Sequence, residues 1–185
     1  MKIGEEHIDM ELINLTRVME TLEEYAQAVR NEYQDNLIRS DRIASGDLLN
    51  SIEYHIEQNG MEYEVKLDLA KYWKYVEKGV QGEKNSTSPY KNPGWKAFPH
   101  ILKWISVKPV IPKPNDDGDL PTPKQLAYLI TGKIVKNGTE GSNDLQDALD
   151  KINAEYRDKL VYALQDDLEN IMKVIVSDFQ GSIEA

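Results

Sequence analysis

Few residues of this chain could carry out chemistry, and their spacing matches no common catalytic or metal-binding arrangement. The three histidines, His7, His55 and His100, share no ligand spacing such as H-E-x-x-H, and the 185 residues include no cysteine. The acidic loop 116–119 lacks the other positions of a calcium-binding loop. No G-x-S-x-G motif and no glycine-rich phosphate loop after a strand is present. We therefore predict a protein that is not an enzyme and has no catalytic, cofactor or metal site.

The most informative side chains lie in a basic and aromatic segment, residues 71–113. It holds nine lysines and two acidic residues, so its net charge is +7, and the rest of the −10 chain carries −17. All three tryptophans, Trp73, Trp95 and Trp104, fall within it. Such a segment could bind nucleic acid through phosphate neutralisation and base stacking. It could instead dock on an acidic neighbouring subunit, or form the core and solvated rim of a local module.

Long helices at both ends of the chain must position this segment. Apolar residues at three- and four-residue steps predict an amphipathic helix over about residues 6–38. The same period predicts a C-terminal helix over residues 144–179, capped by Ser142 or Asn143. Its apolar stripe consists of Leu145, Leu149, Ile152, Tyr156, Leu160, Leu164, Leu168, Ile171, Ile175 and Phe179. This helix would be roughly 54 Å long, so we expect part of it to project or to pack on another chain.

A β-hairpin is predicted between these helices. Apolar and polar residues alternate on both sides of Asn59-Gly60, which is typical of two strands joined by a type I′ turn. One face of the hairpin would be apolar and the other polar and exposed to solvent, as in an antiparallel sheet covered by helices on one side. The predicted fold class is therefore α+β, with long N- and C-terminal helices packed on one face of a small antiparallel sheet.

The remaining chain contains a Pro-rich inserted arm, residues 80–122. All eight prolines fall between residues 89 and 123, and a short helix is predicted over about 98–107. A Pro-rich connection of this length inside a compact domain more often has a function, or is ordered by a partner, than has none. Thr122 then caps a further helix, which Gly138 ends. We expect residues 1–185 to form a single domain that carries this basic, aromatic loop or arm.

Two sequence phrases, in a fixed order, resemble a known family. The first phrase precedes the hairpin and is S-G-D-L-L-N-S-I at residues 45–52. The second follows the hairpin and is Y-W-K-Y-V-E-K-G at residues 72–79. This order resembles the small neck or tail-component proteins of tailed bacteriophages, the head–tail joining and tail-completion proteins, with their T-G-x-L-x-x-S-I step, two strands and Y-A-x-x-V-E-x-G-T. The chain departs from that pattern at Ser45 and Trp73. Residues 126–139, L-A-Y-L-I to K-N-G-T, resemble an extension of longer members.

The resemblance implies a non-enzymatic structural protein of a tailed-phage virion, a neck/connector or tail-completion ring subunit between portal and tail. It would assemble in the bacterial host cytoplasm and reside in the virion neck or tail. Its implied partners are further copies in a six- or twelve-fold ring, adjacent portal, neck or tail proteins, and DNA that passes through the lumen without specific binding. No run of about 18 apolar residues occurs, so we expect a soluble protein with no membrane partner. The alternative is a regulatory or nucleic-acid-binding module that uses residues 71–113.

On the ring interpretation, the subunit interface would use the basic, aromatic arm and the end of the C-terminal helix. The candidate interface residues are Lys84, Tyr90, Trp95, Lys96, Lys103, Trp104, Lys108 and Phe179. The candidate structural turns are at Gly46, Asn59, Gly60, Gly79 and Gly138.

Overall fold

The computed structural model describes residues 15–41, 43, 45–60, 62–83, 87–108, 110–114 and 117–184, with side chains up to residue 177. The chain divides into two compact units. Unit 1 contains the described parts of residues 1–29, 54–66 and 149–185. Unit 2 contains those of residues 30–53 and 67–148.

The elements in the described part of the chain confirm the predicted α+β class. The helices are α1 Thr16–Arg39, α2 Asp47–Asn50, α3 Trp73–Lys78, α4 Phe98–Val107, α5 Pro123–Asn137 and α6 Asp144–Glu184, with a 3₁₀ helix at Gly94–Ala97. The strands are β1 Glu53–Asn59, β2 Glu62–Asp68, β3 Gly79–Val80 and β4 Thr139–Glu140. The first two strands pair as a hairpin, and β3 pairs antiparallel with β4. Helix α4 has the predicted bounds, and the Thr122 hydroxyl caps α5 by accepting from the Gln125 backbone N–H.

The hairpin has the predicted apolar face, but β1 extends through Asn59, which was predicted to lie in the turn. Half-buried residues alternate with exposed ones from Glu53 to Glu57 in β1 and from Glu62 to Val65 in β2, because successive side chains point to opposite faces. Asn59 is the last residue of β1 and Glu62 the first of β2, and the left-handed φ of +62° belongs to Gly60. The prediction that Asn59 opens the turn is therefore wrong. The strand continues through Asn59, and glycine adopts a left-handed φ at a lower cost than asparagine.

Helices α1 and α6 run antiparallel in unit 1. At one end, both carboxylate oxygens of Asp167 accept hydrogen bonds from the backbone N–H groups of Arg17 (3.1 Å) and Val18 (2.9 Å). Further along, the Tyr25 ring meets Tyr156 edge-on at 5.8 Å between centroids. Asp167 is buried, and it satisfies two N–H groups that the first turn of α1 leaves without partners. The predicted part of this helix before Leu15 lies outside the described residues.

The predicted apolar stripe of α6 does not stay on one buried face along the helix. From Ile152 to Leu168 it advances by four steps of four residues, and each step overshoots a full turn by about 40°. Over four steps the stripe therefore rotates by about 160°. Ala163 and Asp167 occupy the buried positions instead, while Leu164 and Leu168 are exposed.

The core of unit 2 encloses a tyrosine hydroxyl with no partner. The Tyr33 side chain is fully buried, and its Oη has no hydrogen-bond partner among the described residues. Burial raises the pKa of Tyr33 well above its ordinary value, and the nearby charges of Glu77 and Asp144 raise this pKa further. The hydroxyl therefore stays protonated and contributes a desolvation cost without a compensating hydrogen bond.

The hairpin turn gives a first prediction. An added Cβ at Gly60 meets no neighbouring atom, so a substitution there is strained only by the positive φ. Gly60→Val should lower the free energy of unfolding by about 1–2 kcal/mol. The control Gly60→Asn should cost much less, because asparagine tolerates a left-handed φ. Urea denaturation measures both, and equal values for the two variants would contradict a backbone origin.

The buried tyrosine gives a second prediction. Tyr33→Phe should change the free energy of unfolding by less than about 0.5 kcal/mol or raise it, because the lost hydroxyl has no partner. The control Tyr25→Phe removes a hydroxyl that donates to Asn153 Oδ1 at 2.8 Å, and it should cost about 0.5–1.5 kcal/mol. Thermal unfolding checks this order. A larger loss for Tyr33→Phe than for Tyr25→Phe would show that the buried hydroxyl is paired.

Candidate subunit interface

The phrase at residues 72–79 supplies the cap of the longest helix. Glu77 is almost completely buried, and its two carboxylate oxygens accept hydrogen bonds from the backbone N–H groups of Leu145 and Gln146, each at 3.0 Å. A negative charge at this position also interacts favourably with the positive end of the helix dipole. Glu77 is therefore a tertiary cap of α6.

Asn143 occupies the predicted position before α6, where its carbonyl oxygen accepts from the Asp147 backbone N–H at 2.9 Å, but the side-chain acceptor of the first turn is Glu77. The backbone N–H groups of Ser142 and Asn143 donate to the carbonyl oxygens of Val76 and Glu77, each at 3.1 Å. The Asn143 side chain accepts from Lys78 Nζ at 3.1 Å. Both residues thus tie the start of α6 to α3, because that connection passes directly against the α3 backbone.

Glycines allow two of the three phrases of the resemblance, residues 72–79 and 126–139, to meet. In the β3–β4 pair, Gly79 lies opposite Glu140 and Val80 opposite Thr139. A Cβ added at Gly79 would overlap the carbonyl oxygen of Thr139, and one added at Gly138 would overlap that of Val80. Both glycines also have a positive φ. Residues 72–79 and 126–139, distant in the sequence, therefore form one closely packed backbone junction.

The inserted arm packs on α5 and presents an aromatic stack at the surface. The 3₁₀ helix and α4 both contact α5. Trp95 stacks on Tyr128 with centroids 4.7 Å apart and planes at 28°, and its ring lies above Gly132. Trp95 is 48% exposed and Tyr128 59% exposed. We call Trp95 and Tyr128 the aromatic stack; it offers a flat apolar surface to a partner.

The other candidate interface residues have different surroundings. Lys96 and Lys103 are exposed, whereas Trp104 is half-buried. Tyr90 is half-buried against Tyr75, with ring centroids 5.3 Å apart. Lys108 pairs with Asp41 within the chain, with 2.8 Å from Nζ to Oδ2. Lys84 and the Phe179 side chain lie outside the described residues.

Sequence reasoning missed Tyr128, which completes the aromatic stack. Tyr128 lies on the outward side of α5, whose buried positions are Ala127 and Thr131. Small residues four apart mark the face of a helix that approaches a neighbour closely, and this spacing was the available signal. Four of the five predicted turns have the expected positive φ, namely Gly46, Gly60, Gly79 and Gly138.

Within the described residues, no group of three histidine, aspartate or glutamate side chains is placed to hold a metal ion. No helix in that part of the chain is long and apolar enough to cross a membrane. No family model, no curated protein and no solved structure matches the chain.

The buried cap gives a third prediction. Glu77→Ala should lower the free energy of unfolding by about 2–4 kcal/mol, because it leaves two helix N–H groups without acceptors. Glu77→Gln keeps one acceptor oxygen and should cost about half as much. Glu83→Ala, an exposed acid in the same region, is the control and should cost less than about 0.5 kcal/mol. Chemical denaturation measures all three variants. An equal loss of unfolding free energy for Glu77→Ala and Glu83→Ala would contradict the capping role.

Proposed function

We propose that this protein is a non-enzymatic structural subunit of a tailed-phage virion, a neck/connector or tail-completion ring component between portal and tail. The observation that carries the proposal is the junction at which residues 72–79 and 126–139 meet. The V-E-x-G phrase supplies the helix cap and one strand, and the G-T phrase supplies the other strand. Two of the three phrases that resemble the phage family thus form one structural junction in this chain.

The aromatic stack is the surface that we assign to the contact between neighbouring subunits. Large exposed aromatic rings are the usual anchors of protein interfaces. Lys96 and Lys103 are exposed in the basic segment that contains Trp95. The rest of the chain has a net charge of −17, so the same lysines could be attracted to the acidic surface of a neighbouring copy. Lys108 contributes less, because its charge is already paired with Asp41. A head-to-tail contact between unlike surfaces closes into a ring when the rotation permits.

The net charge of the protein is compatible with a channel for DNA. An overall charge of −10 repels phosphate, so nucleic acid could pass an acidic lumen without being retained. A binding function for the basic segment would require the opposite behaviour, namely affinity for nucleic acid that falls steeply with salt.

Sizing chromatography with light scattering, together with negative-stain microscopy, tests the ring. We expect rings of six or twelve copies, and we expect raised salt to weaken them. The variants Trp95→Ala and Lys96→Glu/Lys103→Glu should weaken assembly by at least tenfold in midpoint concentration. The control Lys108→Ala removes a lysine that is paired within the chain and should assemble like the wild type.

A monomer that binds single-stranded DNA with a steep salt dependence would contradict the ring and support the nucleic-acid-binding alternative. Fluorescence anisotropy with a labelled oligonucleotide at several salt concentrations makes this measurement. A Trp95→Ala variant that loses DNA affinity without a change in oligomeric state would point the same way.

A further inference from the structure

The C-terminal part of α6 carries an apolar stripe that no described residue of unit 1 buries. Its members lie within an arc of about 80° on an ideal helix. They are Val161, Leu164, Leu168, Met172 and Ile175, which are 60%, 42%, 48%, 58% and 47% exposed. We call this set the α6 stripe. Large contiguous apolar patches are rare on the surfaces of monomeric soluble proteins and mark interaction sites.

The spacing of the α6 stripe indicates that its partner is another helix. The steps between successive members are three, four, four and three residues, close to the period at which one helix faces another along a seam. A regular parallel seam alternates steps of three and four. Here the two central steps are equal, so the pattern is symmetric about its middle residue.

This symmetry is what a contact with a second copy of the chain requires. Relative to Leu168, the other members stand at −7, −4, +4 and +7 residues. An isologous contact places each residue of one copy against its symmetry-related counterpart, so its surface must be self-complementary. We propose that two copies of this chain pair through antiparallel α6 helices, with a two-fold axis at Leu168. Val161 then faces Ile175 of the second copy, Leu164 faces Met172 of the second copy, and Leu168 faces its own equivalent.

The pairing does not depend on the proposed ring. The ring contact is head-to-tail and uses the aromatic stack of unit 2, whereas the α6 contact is two-fold and uses unit 1. Where both contacts form, every assembly contains an even number of copies. Where the ring contact fails, a dimer remains.

Sedimentation equilibrium of the full chain tests the pairing. Leu168→Glu places two carboxylates against each other at the axis, so the variant should have half the mass of the wild type, which is a dimer where the ring contact does not form. If the wild type forms a larger assembly, the assembly formed by Leu168→Glu should have half of its mass. The control Tyr162→Glu changes a residue that is 66% exposed and lies about 100° around the helix from Val161, and it should leave the mass unchanged. Circular dichroism verifies that both variants remain folded.

Cysteine cross-linking tests the direction of the helices, and the cysteine-free chain makes it specific. Leu168→Cys should form a covalent dimer on mild oxidation or with a short bismaleimide. Val161→Cys alone should not, because the two copies of residue 161 would lie about 21 Å apart along the axis. A mixture of Val161→Cys and Ile175→Cys should yield the mixed dimer. Efficient self-cross-linking of Val161→Cys would instead show parallel helices and overturn the proposal.

Three further results would also overturn it. The first is a wild type that sediments as a monomer at about 100 µM. The second is dimerisation of a chain that lacks residues 2–12 when the full chain stays monomeric. The N-terminal segment of the same chain would then be what covers the α6 stripe. The third is a ring whose mass is unchanged by Leu168→Glu, which would leave the ring proposal standing and remove this one.

Discussion

The start of α6 is held by the carboxylate of Glu77, and the organisation of unit 2 depends on this contact. The charge is buried, so its desolvation must be offset by hydrogen bonds of good geometry, and the two N–H groups of the first helical turn provide them. To reach them, α3 must lie against the start of α6. The β3–β4 pair and the glycine contacts follow from that approach. Unit 1 uses the same interaction, since Asp167 satisfies the first turn of α1.

Local patterns in the sequence predicted the regular elements well, whereas contacts between distant residues were not predictable. The 3.6-residue period located α4 and the start of α6, because amphipathicity and local caps decide such elements. The remote caps were not visible, because a buried glutamate and an exposed one look alike in a single sequence. The apolar stripe predicted from the sequence does not follow one face of α6, because steps of four residues drift around the helix. At the candidate site, Trp95 was identified from composition, but its partner Tyr128 and the pairing of Lys108 with Asp41 depend on tertiary packing.

The two proposed surfaces differ in their physical chemistry. Trp95 of the aromatic stack lies in the basic segment, so its attraction to an acidic partner would be screened by salt. The α6 stripe is composed of aliphatic side chains and methionine, so its association is driven by the removal of apolar area from water and depends little on salt. One chain could therefore form two kinds of contact that respond differently to ionic strength, and each could be weakened without the other.

The remote caps have a consequence for synthesis of the protein. The acceptor for the first turn of α1 is 150 residues further along the chain, and the acceptor for the start of α6 precedes it by 68 residues. At a translation rate of about 5–20 residues per second, α1 would wait about 7–30 s on the ribosome before Asp167 is made. The first turn of α1 thus lacks its acceptor until residue 167 has been made, and unit 1 can complete its folding only after that point.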